Sequence, residues 1–206
     1  MFRATIASAI MLAALAVPAA ASAAWSTPND LSDTGADAAQ HEVAIDAAGD
    51  SVSTWNRWDG TAWVVQARTR SAAGVLGFAP TLSAPGQDAF QPKVAVDPPG
   101  NATIVWSRFD GSKWRVQGRT VSQFGVVGVT PITVSDSGVS GSEPQVGVDA
   151  AGNAVITWLA GDGVTDRIQA RTLTPAGVLG PVLEVSTLGR NTGRRNWPSR
   201  RRATRS

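Results

Sequence analysis

The sequence predicts an all-β fold, a β-propeller-type array of about three four-stranded antiparallel blades that form an incomplete ring. Two observations lead to this prediction. One unit is written three times, with Asp46, Asp97 and Asp149 separated by 51 and then 52 residues. Within each unit, apolar residues alternate with small or polar ones between turn signals, as they do in short strands. A repeat of this length with strand patterning is typical of propellers and related arrays.

Four positions recur in all three copies at the same spacing. They are Asp46, Asp97 and Asp149; Trp55, Trp106 and Trp158; Gln66, Gln117 and Gln169; and Arg68, Arg119 and Arg171. A tryptophan buries a large apolar area, so we expect the repeated tryptophan to be the wedge between neighbouring blades. Stacking on a ligand is the alternative role for it. Gln and Arg lie two residues apart, on one face of a strand, and this predicts a hydrogen-bond ladder between blades; a groove for sugar or peptide is the alternative.

The second copy shows how a unit becomes a blade. Its first and second strands are predicted at 91–97 and 102–109, joined by a Pro- and Gly-containing turn that such residues favour. Asp110-Gly111 is a hairpin signal between β-rich segments. The third strand is predicted at 114–122 and the fourth at 129–135.

The repeat divides the body into a first blade at 40–90, a second at 91–142 and a third at 143–188. Residues 24–39 match the stretch before the second copy, with Leu31 aligned on Leu82. We therefore expect a lone N-terminal strand there, the outer strand of a preceding or closing blade. Three blades leave two outer faces open, which predicts self-association through those faces.

Both ends differ from the repeat. Residues 1–23 have the features of a secretory signal peptide: Arg3, an apolar run and an Ala21-Ser22-Ala23 cleavage site. This predicts a secreted, extracellular or cell-envelope protein. Residues 189–206 are predicted to be a disordered basic tail. Without the seven arginines of the last 17 residues, the formal charge changes from +2 to −5.

The tail has two interpretations. It is either a basic anchor for an anionic cell envelope or the product of a shifted or truncated reading frame. A basic run can bind nucleic acid, but no nucleic-acid partner is expected for an exported chain.

Three tryptophans at the predicted hairpin tips, Trp58, Trp63 and Trp114, are the candidate ligand-binding residues. Amphipathic aromatic side chains at loop tips suit stacking on a glycan. Packing between hairpins is the alternative, and the sequence does not decide between them.

The residue inventory argues against an enzyme. The chain has no tyrosine, which excludes a sialidase-type nucleophile, and its three glutamates and single histidine offer few general acids or bases. There is no cysteine for a zinc site or a disulfide. The turn around Asp97 and Asn101 lacks the density of acidic ligands that calcium loops need. No catalytic residue, metal or cofactor is expected.

The pattern VAVDxxGNAxxVW followed by WxVQAR, over residues 40–188, resembles the tandem β-propeller-like repeats of secreted bacterial proteins. It is also distantly similar to the Asp-box of sialidase-like propellers, although here Trp follows Asp by nine residues. The resemblance implies a secreted non-enzymatic repeat protein, a ligand-binding or scaffold module at the cell surface, whose partner is a glycan or a cell-envelope component. The alternative is a non-catalytic or truncated part of a carbohydrate-active protein.

Overall fold

The computed structural model describes residues 28–136, 138–162 and 164–186 and the short strand at 189–190. In this part of the chain all regular structure is β, arranged in three antiparallel sheets, as the sequence predicted. No helical segment long and apolar enough to cross a membrane occurs among these residues.

Each sheet corresponds to one copy of the repeat. The first sheet contains β1 (Ala38–Ile45), β2 (Ser51–Trp58) and β3 (Trp63–Arg70). The second contains β4 (Ala89–Val96), β5 (Ala102–Phe109), β6 (Trp114–Val121) and β7 (Ile132–Thr133). The third contains β8 (Ser140–Val148), β9 (Ala154–Gly161), β10 (Thr165–Leu173), β11 (Leu183–Glu184) and β12 (Gly189–Arg190). Strands pair in chain order within each sheet, except that β11 and β12 both pair with β10.

The sheets pack face to face, and two apolar clusters join them. The first cluster holds Val52 and Val65 of the first sheet against Ile104 and Trp106 of the second. The second cluster repeats this arrangement one unit later, between the second and third sheets. The leading strands β1, β4 and β8 are also neighbours in that order. The arrangement is consistent with an incomplete β-propeller.

The fourth strands are shorter than predicted. In the first sheet the fourth strand is reduced to an isolated bridge between Gln66 and Thr81, and in the second sheet β7 has two residues instead of the predicted 129–135. Proline explains the loss, because it has no N–H to donate to a ladder. Pro80 precedes the bridge, and its carbonyl still accepts a hydrogen bond from Ala67. Pro131 directly precedes β7.

The leading strands begin earlier than predicted because each continues through a β-bulge. They start at Ala38, Ala89 and Ser140 rather than at 40, 91 and 143. The strand predicted at 24–39 is not seen in its described part: residues 28–37 form no strand, and Ala38 and Ala39 belong to β1.

The bulge residues connect one unit to the next. Gln40, Gln91 and Glu143 all have positive φ, between 50° and 57°, which is uncommon for residues other than glycine. The side-chain oxygen of Gln40 accepts a hydrogen bond from the Gln91 backbone N–H at 2.7 Å. The Gln91 side-chain oxygen accepts one from the Glu143 N–H at 3.0 Å. The side chains of Gln40 and Gln91 therefore each link their own sheet to the following one.

The predicted signal peptide, residues 1–23, lies outside the described residues. The tail was predicted to be disordered from residue 189, but its first two residues, Gly189 and Arg190, form β12 and pair with Asp166 and Thr165 of β10. Residues 191–206 lie outside the described part.

Aspartates at the hairpin tips predict how the stability of the fold responds to acid. Hydrogen bonds, first among them those from the backbone N–H groups of Ala62, Lys113 and Thr165, hold the pKa values of Asp59, Asp110 and Asp162 below the ordinary 3.8. A depressed folded-state pKa stabilises the fold at pH values above 3.8, and this stabilisation is lost as the pH falls through the folded-state pKa. We expect the melting temperature to decline below pH 3.8. The variant Asp110→Asn, measured over the same pH range, should show a shallower decline, and an unchanged melting temperature down to pH 2 would contradict the prediction.

Candidate ligand-binding site at the hairpin tips

The two hairpin tips that carry the candidate tryptophans are built by the same Asp-Gly turn. Asp59 accepts hydrogen bonds from the backbone N–H groups of Thr61 and Ala62, both at 2.8 Å. Asp110 accepts equivalent bonds from Ser112 and Lys113. The glycine that follows each aspartate has a φ near +100°, which a side chain would strain. The rigid turns fix the aromatic residues that flank them.

Five aromatic rings form a continuous row along these tips. The ring centroids of Trp58 and Trp63 are 6.0 Å apart, and those of Trp63 and Phe90 are 6.1 Å apart. Phe90 lies 5.8 Å from Trp114, which lies 5.6 Å from Phe109. The structure thus brings Trp58, Trp63 and Trp114 together, and Phe90 of β4 joins the two hairpins. We call these five residues the aromatic row.

The row is partly open and twisted. Trp58 is 36% exposed, and the other four rings are half-buried. Successive ring planes are inclined by 42° to 61°. Such angles favour contact between the rings themselves, and they also present a surface that turns along its length.

The row ends at the second unit because the third unit lacks the aromatic residues. Gly161 and Asp166 occupy the repeat positions of Phe109 and Trp114. Phe90 and Phe109 were not among the residues predicted from the sequence. Phe109 was detectable, because it aligns with Trp58 at a spacing of 51 residues.

Polar groups flank the row. Asp88 accepts a hydrogen bond from the Trp63 backbone N–H at 3.1 Å. Arg115 donates to Asp110 at 2.6 Å, and Arg108 donates to the Pro85 carbonyl at 3.3 Å. Apolar rings beside charged and hydrogen-bonding groups are the usual lining of a site for a ligand with both apolar and polar surfaces.

The repeated tryptophans lie elsewhere. Trp106 and Trp158 are completely or almost completely buried, in the first and second clusters respectively. Trp55 is also buried, but it lies on the outer side of the first sheet. The indole N–H of each tryptophan has no hydrogen-bond partner among the described residues. The same is true of the side-chain oxygen of the glutamine that faces each tryptophan on the next strand, namely Gln66, Gln117 and Gln169. Trp106 and Trp158 thus fill the space between sheets. All three tryptophans are buried and inaccessible to a ligand.

The repeated arginines and glutamines are occupied by bonds to the backbone and to the fourth strands. Nη1 of Arg119 donates to the Leu82 carbonyl of the preceding unit at 3.0 Å, and Nε donates to the Gly128 carbonyl at 2.6 Å. Arg68 and Arg171 make the same two contacts, with Leu31 and Gly77 and with Val134 and Gly180. The side-chain amides of Gln66, Gln117 and Gln169 donate to Thr81, Thr133 and Glu184. The arginines thus connect successive units, and the glutamines connect strands within a unit.

The repeated aspartates cap turns at the opposite end of the sheets. Asp46 accepts hydrogen bonds from the N–H groups of Ala48 and Asp50, both at 2.9 Å. Asp97 and Asp149 bond to the backbone and side chain of Asn101 and Asn153. No group of three His, Asp or Glu side chains suited to a metal ion occurs among the described residues.

A shallow groove of about 450 Å³ lies beside the first hairpin. Asp59, Thr81 and Ser83 line it together with Arg119. Because the Arg119 guanidinium already donates to three carbonyls, the groove offers few free donors to a ligand. The aromatic row is the stronger candidate site.

No protein-family model matches the sequence, and no curated protein matches it. Solved structures with a distant likeness include the following two. An endo-arabinase from Bacteroides thetaiotaomicron VPI-5482 aligns with a TM-score of 0.47 and 15% identity, over 75% of this chain and 59% of that chain. A protein of unknown function from Dyadobacter fermentans DSM 18053 aligns with a TM-score of 0.33 and 8% identity, over 72% and 69%. This chain therefore spans about three fifths of the arabinase, and neither likeness assigns an activity to it.

Proposed function

We propose that this chain is an exported, non-enzymatic binding module whose aromatic row holds a glycan of the cell envelope or its surroundings. The observation that carries the proposal is the continuity of the row across two hairpins, with one ring exposed and polar groups on its flanks. The export part of the proposal rests on the leader-like N-terminal sequence.

The geometry of the row favours one class of glycan. A sugar ring offers an apolar C–H face to an aromatic ring and hydroxyl groups to polar neighbours. Because successive ring planes are inclined by 42° to 61°, the row fits a single polysaccharide chain that turns along its length. A flat crystalline polysaccharide would require coplanar rings.

The carboxylates beside the row support a binding role rather than hydrolysis. A glycosidase needs a general acid whose pKa is raised. Here the hydrogen bonds of the hairpin turns lower the pKa values of Asp59 and Asp110, first through the N–H groups of Ala62 and Lys113. Both side chains are ionised at neutral pH and already accept bonds that hold the turns.

The test is retention of the protein on soluble polysaccharides, by affinity electrophoresis followed by calorimetry with the best ligand. We expect Trp58→Ala and Trp114→Ala each to weaken binding about tenfold, which corresponds to about 1.4 kcal/mol. The matched control is Phe78→Ala, which removes a 93% exposed aromatic residue outside the row.

Two results would overturn the proposal. Equal binding by the wild type and both tryptophan variants would mean that the ligand does not bind at the aromatic row. Release of sugar from any polysaccharide by the purified chain would contradict the non-enzymatic part.

A further inference from the structure

The two outer faces of the stack expose apolar residues. The outer side of the first sheet, which we call the A face, carries Val43 and Ile45, which are 64% and 68% exposed. The outer side of the third sheet, which we call the B face, carries Val155 and Ile168, which are 50% and 37% exposed. Each pair lies on one side of its sheet, as the strand register shows.

The repeat reveals that these positions are normally covered. Residues at the Val43 and Ile45 positions in the other units pack against the two apolar clusters; they are Val94, Val96, Val146 and Val148. Residues at the Val155 and Ile168 positions in the other units are buried; they are Val52, Val65, Thr103 and Val116. Only the end copies of each position are exposed.

The two interfaces inside the chain show what covers each face. In both, the side of one sheet that corresponds to the B face packs against the side of the next sheet that corresponds to the A face. A surface that fits the A face is therefore present in the same molecule, at its other end. We propose that copies of this chain associate head to tail, the B face of one copy covering the A face of the next.

The charges of the two faces are compatible with this contact. Among the described strand residues, the A face carries Arg57, Arg68 and Arg70 and no acidic residue, whereas the B face carries Asp166 and no basic residue. Arg57 and Asp166 both lie at the hairpin end of their sheets. The Arg57 Nε is buried without a partner among the described residues. Opposite charges placed in this way favour the A-to-B orientation over A-to-A.

One segment must move when the contact forms. The Leu31 carbonyl accepts a hydrogen bond from Arg68 of the first sheet at 3.0 Å, and the Leu82 carbonyl accepts the equivalent bond from Arg119 of the second sheet at 3.0 Å. Leu31 therefore lies against the A face as Leu82 lies against the second sheet. On the B side, Val185 occupies the corresponding place: its N–H donates to Ile168 at 2.9 Å, as that of Leu82 donates to Val65 at 2.7 Å. In the assembly, the Val185 segment of one copy and the Leu31 segment of the next would fall on the same place, and only one of them can occupy it.

Residues 28–36 are the segment expected to leave. They form no strand pairing, whereas Leu183 and Glu184 pair with β10. After the exchange, Arg68 of one copy would donate to the Val185 carbonyl of its neighbour.

The test uses one blocking substitution on each face, with size-exclusion chromatography and light scattering of the purified full chain. Ile45→Asp blocks the A face and Ile168→Asp blocks the B face. We expect the wild type to form dimers or longer assemblies and each variant alone to be monomeric, with at least tenfold weaker association. An equimolar mixture of the two variants should form dimers, because one intact A face and one intact B face remain.

Val75→Asp is the matched control, since Val75 is 68% exposed and its counterparts Val126 and Val178 stay 68% and 62% exposed beside the internal interfaces. It should associate like the wild type. Circular dichroism and melting temperature establish that each variant is folded. A monomeric wild type overturns the proposal, as does a single blocked variant that still dimerises, because that result would indicate a symmetric contact or another surface.

Discussion

Replacing Trp106 with alanine is expected to lower the free energy of unfolding by about 3–5 kcal/mol, the usual scale for deleting a core tryptophan. Trp106 is fully buried and lies in the cluster that joins the first and second sheets. Its loss leaves a cavity between rigid sheets that cannot close around it. Urea unfolding followed by circular dichroism measures the difference.

Trp58→Ala is the control for this prediction. Trp58 is also a tryptophan on the second strand of its sheet, but it lies at the hairpin tip and is 36% exposed. We expect this variant to bind a glycan about tenfold more weakly while it keeps most of its stability. Equal stability losses in the two variants would mean that Trp106 is not the wedge between the sheets.

Replacing Arg119 with lysine is expected to destabilise the body by about 2 kcal/mol, within the range measured for hydrogen bonds to charged groups. Arg119 donates to the carbonyls of Gly128, Leu82 and Val129 at 2.6–3.0 Å. A lysine keeps the charge but cannot reproduce the planar geometry that reaches three carbonyls together. The loss falls on the contact with Leu82, which joins two units.

The comparison is Arg70→Lys, on the equivalent strand of the first sheet. The described structure shows no side-chain hydrogen bond for Arg70, so the same exchange should change the unfolding free energy little. If Arg119→Lys were as harmless as Arg70→Lys, the arginine ladder would contribute nothing to the cohesion of the units.

The repeat made much of the fold predictable, because a position used three times is visible without any structure. The spacing alone marked Trp106 and Arg119, and Asp-Gly marked the hairpins. The bulge at Gln91 was not predicted, because glutamine has no preference for positive φ and the register shift appears only in the pairing of β4 with β5. Asn56 is a similar case: it looks like a surface residue, yet it is buried and donates to the Ala89 carbonyl of the next sheet.

The candidate site was predictable in part. The tryptophans at 58, 63 and 114 stand out because tryptophan is uncommon at turns. Phe90 could not be assigned to them, because it comes from the strand that opens the second unit, and only the packing of the two sheets places it between Trp63 and Trp114. The short fourth strands were overestimated because apolar alternation continues through Pro131.

The aromatic row crosses the boundary between two sheets, and this couples ligand binding to local unfolding. The middle sheet is held on both sides, whereas the first sheet is held mainly by the second, so spontaneous opening should begin at an end of the stack. One bound polysaccharide chain would contact rings from both sheets. Because it binds only while the two sheets are packed together, the ligand would selectively suppress the opening of the first sheet by mass action.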